Sequence, residues 1–71
     1  MDVRDLLRVA LDDRGYNKSA VARKANIPLN KFSASLQKRR KLDANEFISI
    51  CEATGLTVGE LKKYVDTLQA S

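Results

Sequence analysis

Between Asp13 and Asp43 the chain carries no acidic residue, yet Arg14, Lys18, Arg23, Lys24, Lys31, Lys38, Arg39, Arg40 and Lys41 all fall there. The remaining residues hold Arg4, Arg8, Lys62 and Lys63 against all nine acids. The net charge of +4 therefore divides into a strongly basic middle and acidic ends. A concentrated positive field on a small molecule attracts polyanions, of which the phosphate backbone of nucleic acid is the commonest. A single charge run is more often just a solvated face, but the complete absence of acid over this long stretch argues against so bland a reading. Asn30, Ser33, Ala34 and Gln37 lie inside the same segment at helical spacing. Asn and Gln can pair with both N6 and N7 of adenine, Ser can donate or accept, and Ala admits the groove wall or touches a thymine methyl. The chemistry on offer is recognition of a duplex, with cations for phosphates and amides for base edges.

Composition closes off most alternatives. The chain has no histidine, which removes the usual general base and the usual zinc ligand. Without a metal cluster or a Gly-rich phosphate loop, only scattered Ser and Lys remain for catalysis, so no enzyme, metal or cofactor is expected. The single cysteine, Cys51, cannot close an internal disulfide, in keeping with a reducing compartment. Tyr16, Phe32, Phe47 and Tyr64 are too widely spread for a single-strand stacking platform. Apolar runs of three residues cannot span a bilayer, and Asp2, Arg4, Asp5 and Arg8 interrupt any signal peptide. Membrane-surface binding needs a basic helix with a bulky apolar back, whereas these cations span two helices and a loop.

The elements that must position these residues are legible from periodicity and punctuation. The 71 residues form one domain, 44% hydrophobic and 31% charged, with a net core stabilisation of about 3–5 kcal/mol. Val3, Leu6, Leu7, Ala10 and Leu11 recur on one face of a helix from about Asp2, its cap, to Arg14, with Gly15 as its left-handed stop. Asn17 caps a second helix carrying Ala20, Val21, Ala22 and Ala25, after which Asn26 takes the turn. A third helix opens at Ile27-Pro28 and runs to about Lys38. Asp43 to Glu46 has capping-box spacing and begins a fourth helix, with Phe47, Ile50 and Cys51 inward and Gly55 at its end. Thr57 to Glu60 is a second capping box opening a fifth helix, with Leu61, Tyr64, Val65 and Leu68 on one side. No stretch alternates as a strand does, so the fold class is all-α, a compact five-helix bundle.

Residues 18–38 are the informative pair of helices. Small Ala22 and Ala25 let two helix backbones approach closely, and Ile27 plugs the tight turn between them, as in a helix-turn-helix. At about 100° per residue, Phe32 and Leu36 face inward with Leu29 at the boundary. Asn30, Ser33, Ala34 and Gln37 then form the outward face, flanked by Lys31 and Lys38. Lys38, Arg39, Arg40 and Lys41 suit phosphates, as do Lys18 and Ser19 at the start of the second helix. Leu29 is open between core and thymine-methyl contact.

The stretch from Asn17 to Leu61 resembles the Cro/repressor-type helix-turn-helix family of phage and bacterial regulators. The resemblance rests on Asn17 through Ile27, Phe32-Ser33-x-x-Leu36, Lys38-Arg39-Arg40, and Glu46-Phe47-x-x-Ile50 leading to Gly55 and Leu61. It covers about two-thirds of the chain, and its strength lies in the ordered set rather than in any one motif. Asn26 departs from the glycine preferred at the turn, Pro28 from the usual serine-type cap, and Lys38 from a frequent glycine, which would extend the third helix by a turn. The resemblance implies a lambda-repressor-like fold and a cytoplasmic, nucleoid-associated regulator of transcription, either a repressor or Cro-like. Its partner would be double-stranded DNA with a near-palindromic operator, bound by a homodimer. The residue roles it implies are base reading by Leu29, Asn30, Ser33, Ala34 and Gln37, and phosphate binding by Lys18, Ser19, Lys31, Lys38, Arg39, Arg40 and Lys41.

Other readings stand beside this one. An antitoxin-like or anti-repressor adaptor would explain the fold and the amphipathic last helix but not the charge segregation. Tyr64, Val65 and Leu68 serve either as core closure or as a dimer surface. Cys51 reads as a buried structural thiol rather than a reactive one, and Lys62-Lys63 as a solvated face. Asp12-Asp13, unfavourable at a helix end, has no role from sequence beyond keeping that end away from DNA.

Overall fold

The computed structural model describes residues 2–69. Among them the helices are α1 (Val3–Asp13), α2 (Lys18–Lys24), α3 (Leu29–Leu36), α4 (Ala44–Thr54), α5 (Val58–Lys62) and α6 (Val65–Gln69), with no strand. The all-helical plan is as expected, and α5 and α6 together occupy the place of the fifth predicted helix. At the break, Lys63 and Tyr64 donate to the carbonyls of Glu60 and Leu61, so the ladder tightens to i→i+3 before Leu68 restarts it on Tyr64.

Start signals act as their chemistry dictates. Asp2, Asn17, Asp43 and Thr57 each accept a backbone N–H of the following first turn, at 2.9, 3.0, 2.7 and 3.1 Å. Such caps are each worth about 1 kcal/mol. The box at Asp43 is reciprocal, since Glu46 Oε1 accepts the Asp43 N–H at 3.2 Å. At the expected box of Thr57 the hydroxyl accepts the Glu60 N–H and donates to Glu60 Oε1 at 3.3 Å, and the Glu60 carboxylate also meets Arg14.

Three helices end in the same Schellman motif. Gly15, Asn26 and Lys38 adopt φ of 71°, 60° and 64°. The residue after each donates to the carbonyl five positions back, Tyr16 to Leu11, Ile27 to Ala22 and Arg39 to Ala34. This corrects the expected extent of the third helix. Pro28 is its cap rather than its first residue, and Lys38 terminates the chain of helical bonds instead of prolonging it. A lysine in the left-handed region bears a steric cost that glycine does not. Lys38→Gly is therefore expected to raise stability by about 0.5–1 kcal/mol while removing one cation, a gain readable in urea melts.

The core is built where the apolar stripes meet. Leu7, Ala10, Leu11, Val21, Ala22, Phe32, Leu36, Ile50, Leu56 and Leu61 are buried together. Helix α1 packs on α3, α5 and α6, while α2 packs on α3 and α4. Ala22 and Ala25 are buried, as their small size at the α2–α3 approach requires, and Ile27 fills the turn. Tyr16 donates its hydroxyl to the Thr54 carbonyl at 2.7 Å, tying the end of α1 to the end of α4.

Candidate nucleic-acid interface

Helix α3 has two faces because its ends are fixed by others. Phe32, Ser35 and Leu36 are buried, which turns Leu29, Asn30 and Gln37 outward as exposed residues. Ser33 and Ala34 are half-buried along the same ridge. Leu29 is 47% exposed, so its place is on the outer face rather than in the core. Gln37 sits one residue past the helix, as its C-cap, and still projects with that face. No side chain caps the start of α3, since Pro28 offers no acceptor.

The basic segment resolves into two populations. Arg23, Lys24, Lys31, Arg39 and Lys41 are exposed and form no salt bridge among the described residues. The other four each meet an acid from the chain's ends. Lys18 pairs with Asp12 at 3.2 Å, Lys38 with Asp5 at 3.1 Å and Arg14 with Glu60 at 2.8 Å. Arg40 meets Glu46 through both Nη atoms, at 3.1 and 2.9 Å, and donates to Ser35 Oγ at 3.0 Å. The lysine pairs are exposed single contacts, a type worth about 0–1 kcal/mol and open to exchange with another anion. The Arg40 pair is a fork in a half-buried setting. Ser19 is exposed beside Lys18, while the Asn17 side chain already takes the Ala20 amide.

The Asp12-Asp13 pair acquires a structural role. Asp12 holds Lys18, and Asp13 Oδ2 accepts the Tyr64 hydroxyl at 2.7 Å. Tyr64, Val65 and Leu68 are all half-buried, with Tyr64 packed against the core. Ile48 of α4 and Val58 of α5 are exposed apolar side chains as well. Cys51 is half-buried, and burial pushes its thiol up, which suits an inert protonated group at neutral pH.

Ion pairing also sets the response to acid. The Arg4 guanidinium holds Asp2 far below the usual carboxylate range, Arg40 lowers Glu46, and Arg14 lowers Glu60. A carboxylate lowered in the folded state stabilises it above the unfolded value, near 4, and loses that contribution as pH falls toward the folded value. The melting temperature should therefore hold level from neutral pH to about 5 and fall below about 4.5. Glu46→Gln should make that fall shallower, and thermal melts across the acid range test both.

Sequence reasoning missed Ser35, which is polar yet 1% exposed. Its helical phase next to Leu36 is a signal that could have shown its burial, but nothing local identifies Arg40 as the donor it meets. It also missed Asp5 as the partner of Lys38, 33 residues away, a pairing without any local signal.

Comparison with known proteins adds one result. A family model for the Cro/C1-type HTH DNA-binding domain matches residues 6–67. No curated protein and no solved structure matches the chain.

Proposed function

Because the chain belongs to the Cro/C1-type helix-turn-helix DNA-binding domain family, we propose that it is a sequence-specific transcriptional regulator, a repressor or a Cro-like antagonist, that inserts α3 into the major groove. The carrying observation is the outward ridge of α3, with Leu29, Asn30 and Gln37 exposed, together with the exposed cations Lys31, Arg39 and Lys41, which form no salt bridge among the described residues. In the groove, Asn30 and Gln37 offer bidentate pairing to adenine, Ser33 adapts to donor or acceptor, and Leu29 and Ala34 meet thymine methyls. Lys31, Arg39 and Lys41 neutralise phosphates directly. Lys18 and Lys38 exchange Asp12 and Asp5 for phosphate, with Ser19 adding a hydroxyl at the start of α2.

The protein acts as a homodimer on a near-palindromic operator, in the cytoplasm on the nucleoid. The half-exposed edge of α5 and α6, with Tyr64, Val65 and Leu68, supplies the pairing surface. Selection from a random duplex library at near-physiological salt tests this reading. Enrichment of an inverted repeat, with half-sites about one helical turn apart, is expected. Retention without enrichment would reduce the activity to backbone binding. No retention would turn the basic surface toward an acidic protein and favour an adaptor role.

A further inference from the structure

The run Lys38-Arg39-Arg40-Lys41 looks uniform in sequence, but its side chains divide. Arg39 and Lys41 are exposed and form no salt bridge among the described residues, whereas Arg40 is half-buried and turned inward. Its Nη1 donates to Ser35 Oγ on α3 and to Glu46 Oε1 on α4, and its Nη2 to Glu46 Oε2. Its backbone is held as well: Arg4 Nη1, itself locked by Asp2, donates to the Arg40 carbonyl at 2.9 Å. One residue thus joins α1, α3 and α4 at the segment that follows α3. That segment lies outside the helices, and beyond the bond from the Arg39 N–H to Ala34 no helical ladder fixes it; its burial alternates from exposed Arg39 to half-buried Arg40, exposed Lys41 and half-buried Leu42. Alternation of this kind sends the neighbours of an inward residue outward.

We propose that Arg40 is a positioning residue, which binds no phosphate itself and holds the loop so that Arg39 and Lys41 face the DNA backbone. The inference rests on the DNA-binding reading above and assigns the members of the basic run different tasks. The guanidinium is required for its shape, because only a planar fork satisfies Ser35 and both oxygens of Glu46 at once; a lysine offers the same charge without it.

Arg40→Lys in the full chain separates the two roles. Duplex binding is titrated against salt with the selected site, alongside Arg40→Ala, Arg39→Ala and Lys41→Ala. Arg39→Ala and Lys41→Ala should each flatten the log–log salt slope by about 0.9. Arg40→Lys should weaken binding about as much as Arg40→Ala, roughly tenfold, even though the charge is kept. Binding by Arg40→Lys equal to that of the unaltered protein, with Arg40→Ala weakened, would make Arg40 a direct phosphate contact and overturn the proposal. Unchanged binding by Arg40→Ala would overturn it too.

A second readout needs no DNA. Trypsin should cleave the 38–41 loop several-fold faster in Arg40→Lys, which retains the cleavage site, and in Glu46→Gln, which keeps a side-chain oxygen able to accept the Asp43 N–H. Equal cleavage rates in variants that keep the native helical content would overturn the proposal whatever the DNA titrations show. Failure of the unaltered protein to bind any duplex would instead remove the DNA-binding reading, leaving the cleavage rates to decide how Arg40 holds the loop.

Discussion

Phe32→Ala is expected to abolish the cooperative folding of the domain. Phe32 is 1% exposed and is the largest side chain buried to that degree, reaching from α3 into the cluster formed by α1, α2 and α4. Truncating a buried phenylalanine costs about 3–5 kcal/mol, combining lost transfer energy and the cavity left behind. A domain of this length nets about the same amount, so the substitution consumes its whole stability. Circular dichroism should show a large loss of helicity at room temperature and no cooperative melt. A melt within a few degrees of the unaltered protein would mean that α3 is anchored by something other than Phe32. Leu29→Ala, on the same helix but exposed, provides the control and should change stability by no more than about 0.5 kcal/mol.

The second large effect concerns recognition. Asn30→Ala is expected to weaken binding to the selected operator by about 1–3 kcal/mol, or roughly 5- to 150-fold, with little change for unrelated duplexes. The side chain is exposed on the outer ridge, so its loss leaves the core intact and removes only a base-edge contact. Gln37→Ala should behave in the same way at a different base position. Arg39→Ala is the contrasting case: it should weaken all duplexes together, because phosphate contacts carry no sequence information. Competition titrations with the operator and a scrambled duplex measure the difference. If Asn30→Ala weakened both duplexes equally, the base-reading face would lie elsewhere on the molecule.

The sequence by itself determined the helical class, the starts of four helices and the direction in which α3 faces. These depend on short-range physics: side-chain caps at Asp2, Asn17, Asp43 and Thr57, left-handed stops at Gly15 and Asn26, and a periodicity that buries Phe32 and Leu36. Charge segregation was equally legible, since it is a property of order along the chain. Family membership follows from the same ordered signals.

Tertiary structure decided which cations are free. Whether a lysine or arginine is available depends on the acid that folding carries beside it, and Asp5 reaches Lys38 only because α1 packs on α3. Arg40 lies in the same basic run as Arg39 and Lys41, yet Ser35 and Glu46 turn it inward. Tertiary context also placed the end of α3, for a lysine at the stop is a poor left-handed residue by propensity, and Arg39 closing back on Ala34 holds it there. The last helix breaks for the same kind of reason, with its ladder tightening at the point where Tyr64 reaches Asp13 across the fold. Local signals act over a few residues and survive in the sequence as spacing. Ion pairs and long-range hydrogen bonds join residues distant in the chain, so they are settled only when the helices pack.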